Sequence, residues 1–339
     1  MSSSPQAQAL SPGVIFDTLQ AYQRTIALRG AIDLDLFTAI AEGNPTAAAI
    51  ASRINASEKG TRVLCDFLTI MGMLNKQGRE YSLTPESATF LNRHSPAYMG
   101  TLANFLVNPQ VSAMLEDVAA SVRRGGSPPN EQGALEADHP VWVQFARSMG
   151  PMMRGGAELI AGMFAHDSQP IKVLDISASH GQWGLAFATH NPKAHVVGLD
   201  WANVLEVAKE NARKAGVADR FSTIPGSAFD VDFGAGYDIV LVPNFLHHFD
   251  PATNESLLKK VHAALKSDGI VLTPDFIPNE DRVTPARDAM FSLQMLGATP
   301  HGDAYTFVEL DRMFRNAGFA RSELRDLAPH PQRLVVSYK

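Results

Sequence analysis

The stretch IKVLDISASHGQWG, residues 171–184, constrains this chain more than any other. An apolar run ends in an acid, Asp175. Small residues follow in Ser177, Ala178 and Ser179, and Gly181 then opens a helical pattern. A strand end, a tight turn and a helix start in that order form the carboxyl edge of a parallel strand, where nucleotide-type ligands are held. A second apolar run, HVVGLD, ends in Asp200, 25 positions after Asp175. That distance is enough for one strand–helix–strand unit.

From 171 to the end, strand-like and helical patterns alternate. IKVLDI, HVVGLD, RFSTIPG, YDIVLVPNFL and IVLTPDF read as strands. GQWGLAFATHN, VLEVAKENARKAG, NESLLKKVHAALKSDG, the run around MFSLQML, and TFVELDRMFRNAGF read as helices. SELRDL and QRLVVSYK close the chain as strands. The alternation predicts a parallel sheet covered on both faces, with an antiparallel finish. At 339 residues, 45% of them apolar and 19% charged, the chain has the material for more than one packed domain.

Residues 13–105 carry apolar positions at three- and four-residue spacing. Pro45-Thr46 opens a short helix. Ser57 leads into the longer TRVLCDFLTIMGML, KQGREYSLT reads as a small hairpin, and Pro85 starts another helix. Helix, helix, hairpin is the order of a winged-helix unit. Such units often read DNA, but the second helix here is largely apolar and the net charge is −6. Packing or dimerisation is the expected role, with no nucleic-acid partner. Residues 106–165 read as a helical connector containing the loop RRGGSPPNEQG. The domains expected are therefore 1–105, 106–165 and 166–339. Cys65 is the only cysteine and reads as a buried small apolar residue. The start of the chain has no signal-peptide pattern, its first residues are expected to be mobile, and no run is long enough to span a bilayer. A cytoplasmic protein with no membrane partner is expected.

The turn and the two acids imply particular contacts. Asp175 can accept hydrogen bonds at a strand end. Gly181 permits a positive φ, and a carboxylate at Asp200 can accept both hydroxyls of a ribose. Together with VVGLDWANV, IPGSAFD, NFLHHFD and GDAYTFVELDRMFRNAGF, the motif VLDISASHG resembles the class I S-adenosylmethionine-dependent methyltransferases. The whole chain is similar to the small-molecule O-methyltransferases, a group that includes plant phenolic and bacterial polyketide enzymes. The resemblance implies a Rossmann-like domain with a mixed seven-stranded sheet, preceded by a mainly helical, winged-helix-like dimerisation domain. The implied cofactor is S-adenosyl-L-methionine, with S-adenosyl-L-homocysteine as product. Asp175, Ser177, Ser179 and Gly181 would hold its methionine part and Asp200 its ribose. Trp201 and Phe229 would flank the adenine, with Ser227 beside them, and Asn244 would line the methionine end. Where such turns usually carry glycines this chain has Ser177, Ala178 and Ser179, whose side chains narrow the space and restrict φ.

Methyl transfer to oxygen needs the acceptor held close and its proton removed. By position, His247 in NFLHHFD matches the family's general base, and Asp275 in TPDFIP matches the acid that orients it. His248 is the alternative base. A further family acid falls on Ala304, and Asp303 beside it is expected to point elsewhere. Phe145, Met149, Met152, Phe291, Met295 and Tyr305 are the candidates for a flat, mainly apolar acceptor pocket, and Met153 joins Met149 and Met152 in a Met-rich wall. Adjacent histidines at a helix start lack metal-ligand spacing, so no metal is expected. The reading is O-methylation of an aromatic or polyketide-like hydroxylated molecule by a homodimer. Carbon or nitrogen methylation, or a cofactor-binding enzyme that transfers no methyl, is the alternative.

Overall fold

The computed structural model describes residues 10–128, 140–165 and 169–339. The first nine residues, positions 129–133 of the expected loop, and positions 166–168 lie outside the described residues. The chain forms two units, one ending at Ala103 and the other beginning at Asn104. The segment 106–165 falls within the second.

In the first unit five helices precede a hairpin: α1 (Gly13–Gln20), α2 (Tyr22–Asp33), α3 (Leu36–Ala41), α4 (Ala47–Arg53) and α5 (Glu58–Ile70). The strands β1 (Leu74–Gln77) and β2 (Glu80–Leu83) pair antiparallel, and α6 (Pro85–Phe90) follows. Three helix starts are set by side-chain caps. Thr46, Ser57 and Thr84 accept from the N–H of Ala49, Gly60 and Ser87, and each such cap stabilises by about 1 kcal/mol. Thr61, Cys65 and Leu68 put one face of α5 into a core with Leu36, Phe37, Ile50 and Leu74. Burial pushes the Cys65 thiol up to about 12, so it packs as an unreactive small side chain. Asp66 ties the hairpin to α5, accepting from Tyr81 Oη at 2.7 Å and Lys76 Nζ at 2.5 Å. No residue of α1 is buried. Val14, Ile15, Phe16 and Leu19, with Tyr22 and Ile26 of α2, stand exposed.

The short helix α7 (Ala103–Leu106) starts on the last residue of the first unit; α8 (Pro109–Ala113), α9 (Val118–Arg124) and the 25-residue α10 (Pro140–Phe164), which continues through Pro151, follow in the second. Then strands and helices alternate: β3 (Ile171–Ile176), α11 (Gln182–His190), β4 (Ala194–Asp200), α12 (Ala202–Lys214), β5 (Phe221–Pro225), β6 (Tyr237–Leu241), α13 (Pro251–Ala264) and β7 (Leu265–Asp275). The chain closes with α14 (Ala286–Ala298), α15 (Phe307–Asn316), β8 (Arg321–Asp326) and β9 (Arg333–Tyr338). The seven strands lie in the order β5-β4-β3-β6-β7-β9-β8. Neighbours are parallel from β5 to β7, while β9 runs antiparallel to both β7 and β8. Leu174, Val240, Val271 and Val335 pack against Leu257, Leu258 and Val261 of α13 and against Leu310, Met313 and Phe314 of α15.

One expected boundary is corrected. The helix read through NESLLKKVHAALKSDG stops at Ala264, and Leu265 already belongs to β7, paired with Tyr237. Ladder pairing wins because Leu265 is buried and Gly269 lets the backbones close up. A Cβ at Gly269 would lie 3.1 Å from the Tyr237 carbonyl oxygen. Among the described residues no helix is long and apolar enough to cross a membrane.

Register decides which residues share the ligand edge. Asp175 stands opposite Gly198 and Leu241, Asp200 opposite Pro225, and Asp275 opposite Arg333. The carboxyl ends of β3, β4, β6 and β7 therefore line up, and the reversed β9 brings the residues before Arg333 to the same edge.

Candidate active site

At the end of β3, Asp175 is wholly buried. Its Oδ2 accepts from the Gly184 N–H at 2.9 Å, while Oδ1 has no hydrogen-bond partner. Burial, reinforced by the charge of Asp200, pushes its carboxyl up to about 7. Gly184 is required there, because a Cβ would lie 2.9 Å from Asp175 Oδ2 and 2.6 Å from Val196 Cγ1. The turn that follows is built from left-handed residues. Ser177 has φ +57°, Ser179 φ +52° and Gly181 φ +75°. Only glycine takes that region freely, so the two serines hold strained backbone at a ligand-edge turn. The Ser179 hydroxyl is buried and unpartnered.

Asp200 accepts from two backbone N–H groups, Ser179 at 2.8 Å on Oδ2 and Trp201 at 2.7 Å on Oδ1. Desolvation still lifts its carboxyl to about 6, against the pull of those two bonds. Each carboxylate oxygen has a second lone pair left for a donor. Trp201 packs beside Ala146, Val204 and Val207 with Trp142 and Val143. Phe229 stands in a different cluster, edge-on to Phe249 at 4.9 Å, and the Ser227 hydroxyl accepts from its N–H at 3.2 Å. A groove of about 510 Å³ opens near Trp201, lined by Val143, Gln144, Arg147, Ser148 and Asn203.

Beyond β6 the edge changes character. Asn244 is left-handed at φ +52°. Its Oδ1 accepts from Gln332 Nε2 and its Nδ2 lies 3.8 Å from Met153 Sδ. The next turn, Leu246–His248, carries the two histidines. Asn254 Nδ2 donates to the Leu246 carbonyl at 2.9 Å and pins that turn. His247 Nδ1 lies 2.7 Å from Asp275 Oδ1, and both side chains are buried. The same Asp275 oxygen accepts from the Phe276 N–H at 2.8 Å. A carboxylate has only lone pairs to offer, so the pairing places the imidazole proton on Nδ1 and leaves Nε2 as an acceptor. Phe291 of α14 meets the His247 ring edge-on at 4.8 Å. His248, 4.3 Å from His247 ring to ring, is held well below the usual imidazole range by burial and by its neighbour.

The structure thus brings His247, Asp275 and Phe291 together, and separately Asp175, Ser179 and Asp200. Phe145 lies 6.3 Å from His180, stacked, with Trp142 at 5.8 Å. Met149 and Met153 are buried in α10, and the Met152 carbonyl faces His330 at 3.3 Å. Met295 is buried in α14. Tyr305 lies in the main core, and its hydroxyl donates to the Phe249 carbonyl at 2.6 Å. Ala304 is fully buried, and Asp303 pairs with Arg282 at 3.2 Å.

The family profile of the O-methyltransferase domain matches residues 143–320, and that of the O-methyltransferase dimerisation domain matches residues 16–93. The chain belongs to the O-methyltransferase family. A Nostoc punctiforme PCC 73102 protein of known crystal structure, assigned as an O-methyltransferase, is 51% identical with a TM-score of 0.93, over 98% of this chain and 100% of that one. The tetracenomycin polyketide synthesis 8-O-methyl transferase of Streptomyces glaucescens is 25% identical, over 99% of each chain. The structure of human N-acetylserotonin methyltransferase in complex with SAM superposes with a TM-score of 0.84, over 99% of each chain. At 19% identity that likeness speaks for the fold. As in these relatives, this O-methyltransferase has a helical dimerisation domain ahead of a domain with a seven-stranded mixed sheet.

Two residues near this O-methyltransferase's candidate site, His180 and Gln332, escape a reading of its motifs. His180 sits inside the quoted VLDISASHG, next to Gly181, and that position was the available signal. Burial pushes it down to about 4, so it is neutral, with Nδ1 accepting from the Gln182 N–H. Gln332 is buried, and its Oε1 has no partner. Nothing local marks Gln332, because only the reversed direction of β9 carries it to the ligand edge.

Proposed function

We propose that this chain methylates a hydroxyl of an aromatic or polyketide-like small molecule with S-adenosyl-L-methionine, using His247 as general base. The observation that carries the reading is the His247–Asp275 contact at the carboxyl edge, buried and 2.7 Å long. The buried residues also suit the cofactor. Asp175 Oδ1 and the Ser179 hydroxyl are unpartnered at the turn, and both take hydrogen bonds from an ammonium group. Asp200 keeps a lone pair on each oxygen for the ribose hydroxyls. Gly181, Ser177, Asn244, Trp201, Ser227 and Phe229 complete the cradle. When bound, the cofactor supplies a methyl group on positively charged sulfur, which leaves as neutral S-adenosyl-L-homocysteine.

The chain's own part is positioning and proton transfer. Phe145, Met149, Met152, Phe291 and Met295 present an apolar wall to a flat acceptor, which holds the hydroxyl and excludes water. His247 Nε2 takes the hydroxyl proton as the oxygen–carbon bond forms. Asp275 steadies the resulting imidazolium through Nδ1. His248, kept neutral, adds no competing charge. The exposed apolar residues of α1 and α2, in a unit matching a dimerisation domain, support a homodimer, and a cytoplasmic location fits a biosynthetic enzyme of this kind.

Labelled S-adenosyl-L-methionine with a panel of phenols and hydroxylated polyketide fragments tests the reading, on protein that sediments as a dimer. Label should pass to oxygen, and His247→Gln should lose on the order of 10²–10⁴-fold in turnover while still binding S-adenosyl-L-homocysteine. Label on carbon or nitrogen, or a fully active His247→Gln, would defeat it.

A further inference from the structure

Lys260 of α13 spends its whole donor set on one loop. Its ammonium donates to the carbonyls of Ala228, Phe229 and Val231 at 2.9, 2.7 and 3.1 Å. An ammonium has three donors, so all of them are used. The same nitrogen lies 4.7 Å from the centre of the Phe233 ring, which is buried. None of these partners is a carboxylate. A lysine on a helix ordinarily reaches into water or pairs with an acid. This one is committed to backbone and to an aromatic face.

The loop it holds belongs to the ligand edge. It leaves the end of β5, and the Gly226 N–H donates to the Asp200 carbonyl at 2.9 Å. In the turn that follows, the Asp230 and Val231 N–H groups both donate to the Ser227 carbonyl at 3.0 Å, and the Ser227 hydroxyl takes the Phe229 N–H. Local bonds hold the N–H side of this turn. Its carbonyl side is held by Lys260, 29 to 32 residues further along the chain. Bonds from a charged donor are stronger than neutral ones. The Phe229 ring in turn meets Phe249 edge-on at 4.9 Å and Phe245 at 6.2 Å. Phe229 is thus fixed twice, its backbone by a charge and its ring by aromatic neighbours.

We propose that Lys260 is a positioning residue for the cofactor, fixing the 227–231 turn so that Phe229 stands ready to flank the adenine. This rests on Phe229 being an adenine wall. The lysine itself touches no ligand. Its three bonds order the turn before anything binds, so a ligand that packs on the ring does not have to order it. Without the ammonium the carbonyls turn to water and the turn is released. The same order is then imposed at binding, at a cost in affinity. A guanidinium is no substitute, because its donors spread in a plane instead of converging on one nitrogen.

Calorimetry with S-adenosyl-L-homocysteine on the full chain tests this, in the wild type, Lys260→Met, Phe229→Ala and the double variant. Lys260→Met keeps an apolar stem and should weaken binding roughly 3- to 10-fold, the cost of ordering a freed side chain and its turn. In the Phe229→Ala background the same change should matter by less than about 2-fold, since the ring it positions is gone. An unchanged affinity in folded Lys260→Met overturns the proposal. So does an equal loss in both backgrounds, the mark of a lysine that merely supports the fold. If Lys260→Met does not fold, Lys260→Arg replaces it in the cycle. The same dependence on Phe229 is expected there, and its absence overturns the proposal. Phe229→Ala that binds as tightly as the wild type removes the adenine wall and the proposal with it, whereas a failure at Lys260 alone leaves that wall standing. Binding needs no turnover, so neither failure touches His247 as base.

Discussion

The two ends of the ligand edge are built by opposite strategies. At the β3–β4 end the acids are held by backbone N–H groups. Asp175 takes the Gly184 N–H, and Asp200 takes those of Ser179 and Trp201. At the β6–β7 end the key contacts run between side chains far apart in the chain, His247 with Asp275 and Asn244 with Gln332. The first end is a local device whose parts fold with the turn itself. The second exists only once the sheet order is set, and aromatic rings from α14 and α10 wall it. On the proposed function the backbone-held acids grip the cofactor, whereas a side-chain pair at the next strands can be retuned without disturbing that grip.

Asp200→Asn should break the comparison most sharply. The amide keeps the shape, but one of its two ends becomes a donor facing a backbone N–H, and the charge proposed to meet the ribose is lost. A hydrogen bond to a charged group is worth about 1.5–3 kcal/mol. Affinity for S-adenosyl-L-homocysteine, measured by calorimetry, should therefore fall about 10- to 100-fold. The ring NMR signals of His247 should stay where they were. If Asp200→Asn also moves them, the two ends are not independent.

This division also explains what could be read in the sequence. The 171–184 segment is contiguous, so its acid, turn and glycine are visible together, and the strand–helix alternation after it led to the observed sheet. The helix starts at Thr46, Ser57 and Pro85 follow from local pattern in the same way. His247 and Asp275 were singled out by resemblance, because nothing in their spacing states that they meet. Gln332 carries no local signal at all. It reaches the edge because β9 is reversed. The first residues of β7 were misread as helix, since Lys266, Ser267 and Asp268 are polar and only pairing with β6 makes them strand.

A smaller effect appears in the pH dependence of stability, and it belongs to the backbone-held end. Asp175 titrates near 7 in the folded chain and near 3.9 when unfolded. Between those values the folded state holds a proton that the unfolded state has released. The stability this contributes is complete below about 4 and is lost as pH rises to about 7. Asp200 and Asp288, both held up at about 6, act in the same direction. Denaturation midpoints should therefore decline less steeply from pH 4 to pH 7 in Asp175→Asn than in the wild type. Equal slopes would mean that Asp175 is paired or hydrated in solution.

The smallest effect separates the two serines of the turn. Both adopt left-handed backbone, which costs a non-glycine residue roughly 1–2 kcal/mol, while glycine itself adds about 0.5–1 kcal/mol of unfolded-state freedom. Ser177→Gly should accordingly change stability by less than about 1 kcal/mol. Ser179 carries an added burden, its buried hydroxyl without a partner. Ser179→Gly removes both strain and orphan, and should stabilise the ligand-free chain by about 1 kcal/mol more than Ser177→Gly. If that hydroxyl is kept for the cofactor, the same change weakens S-adenosyl-L-homocysteine binding, so stability and affinity move in opposite directions. Unfolding and calorimetry on both variants read this directly. A Ser179→Gly chain that is more stable and binds as tightly as wild type would show that the serine serves neither end of the edge.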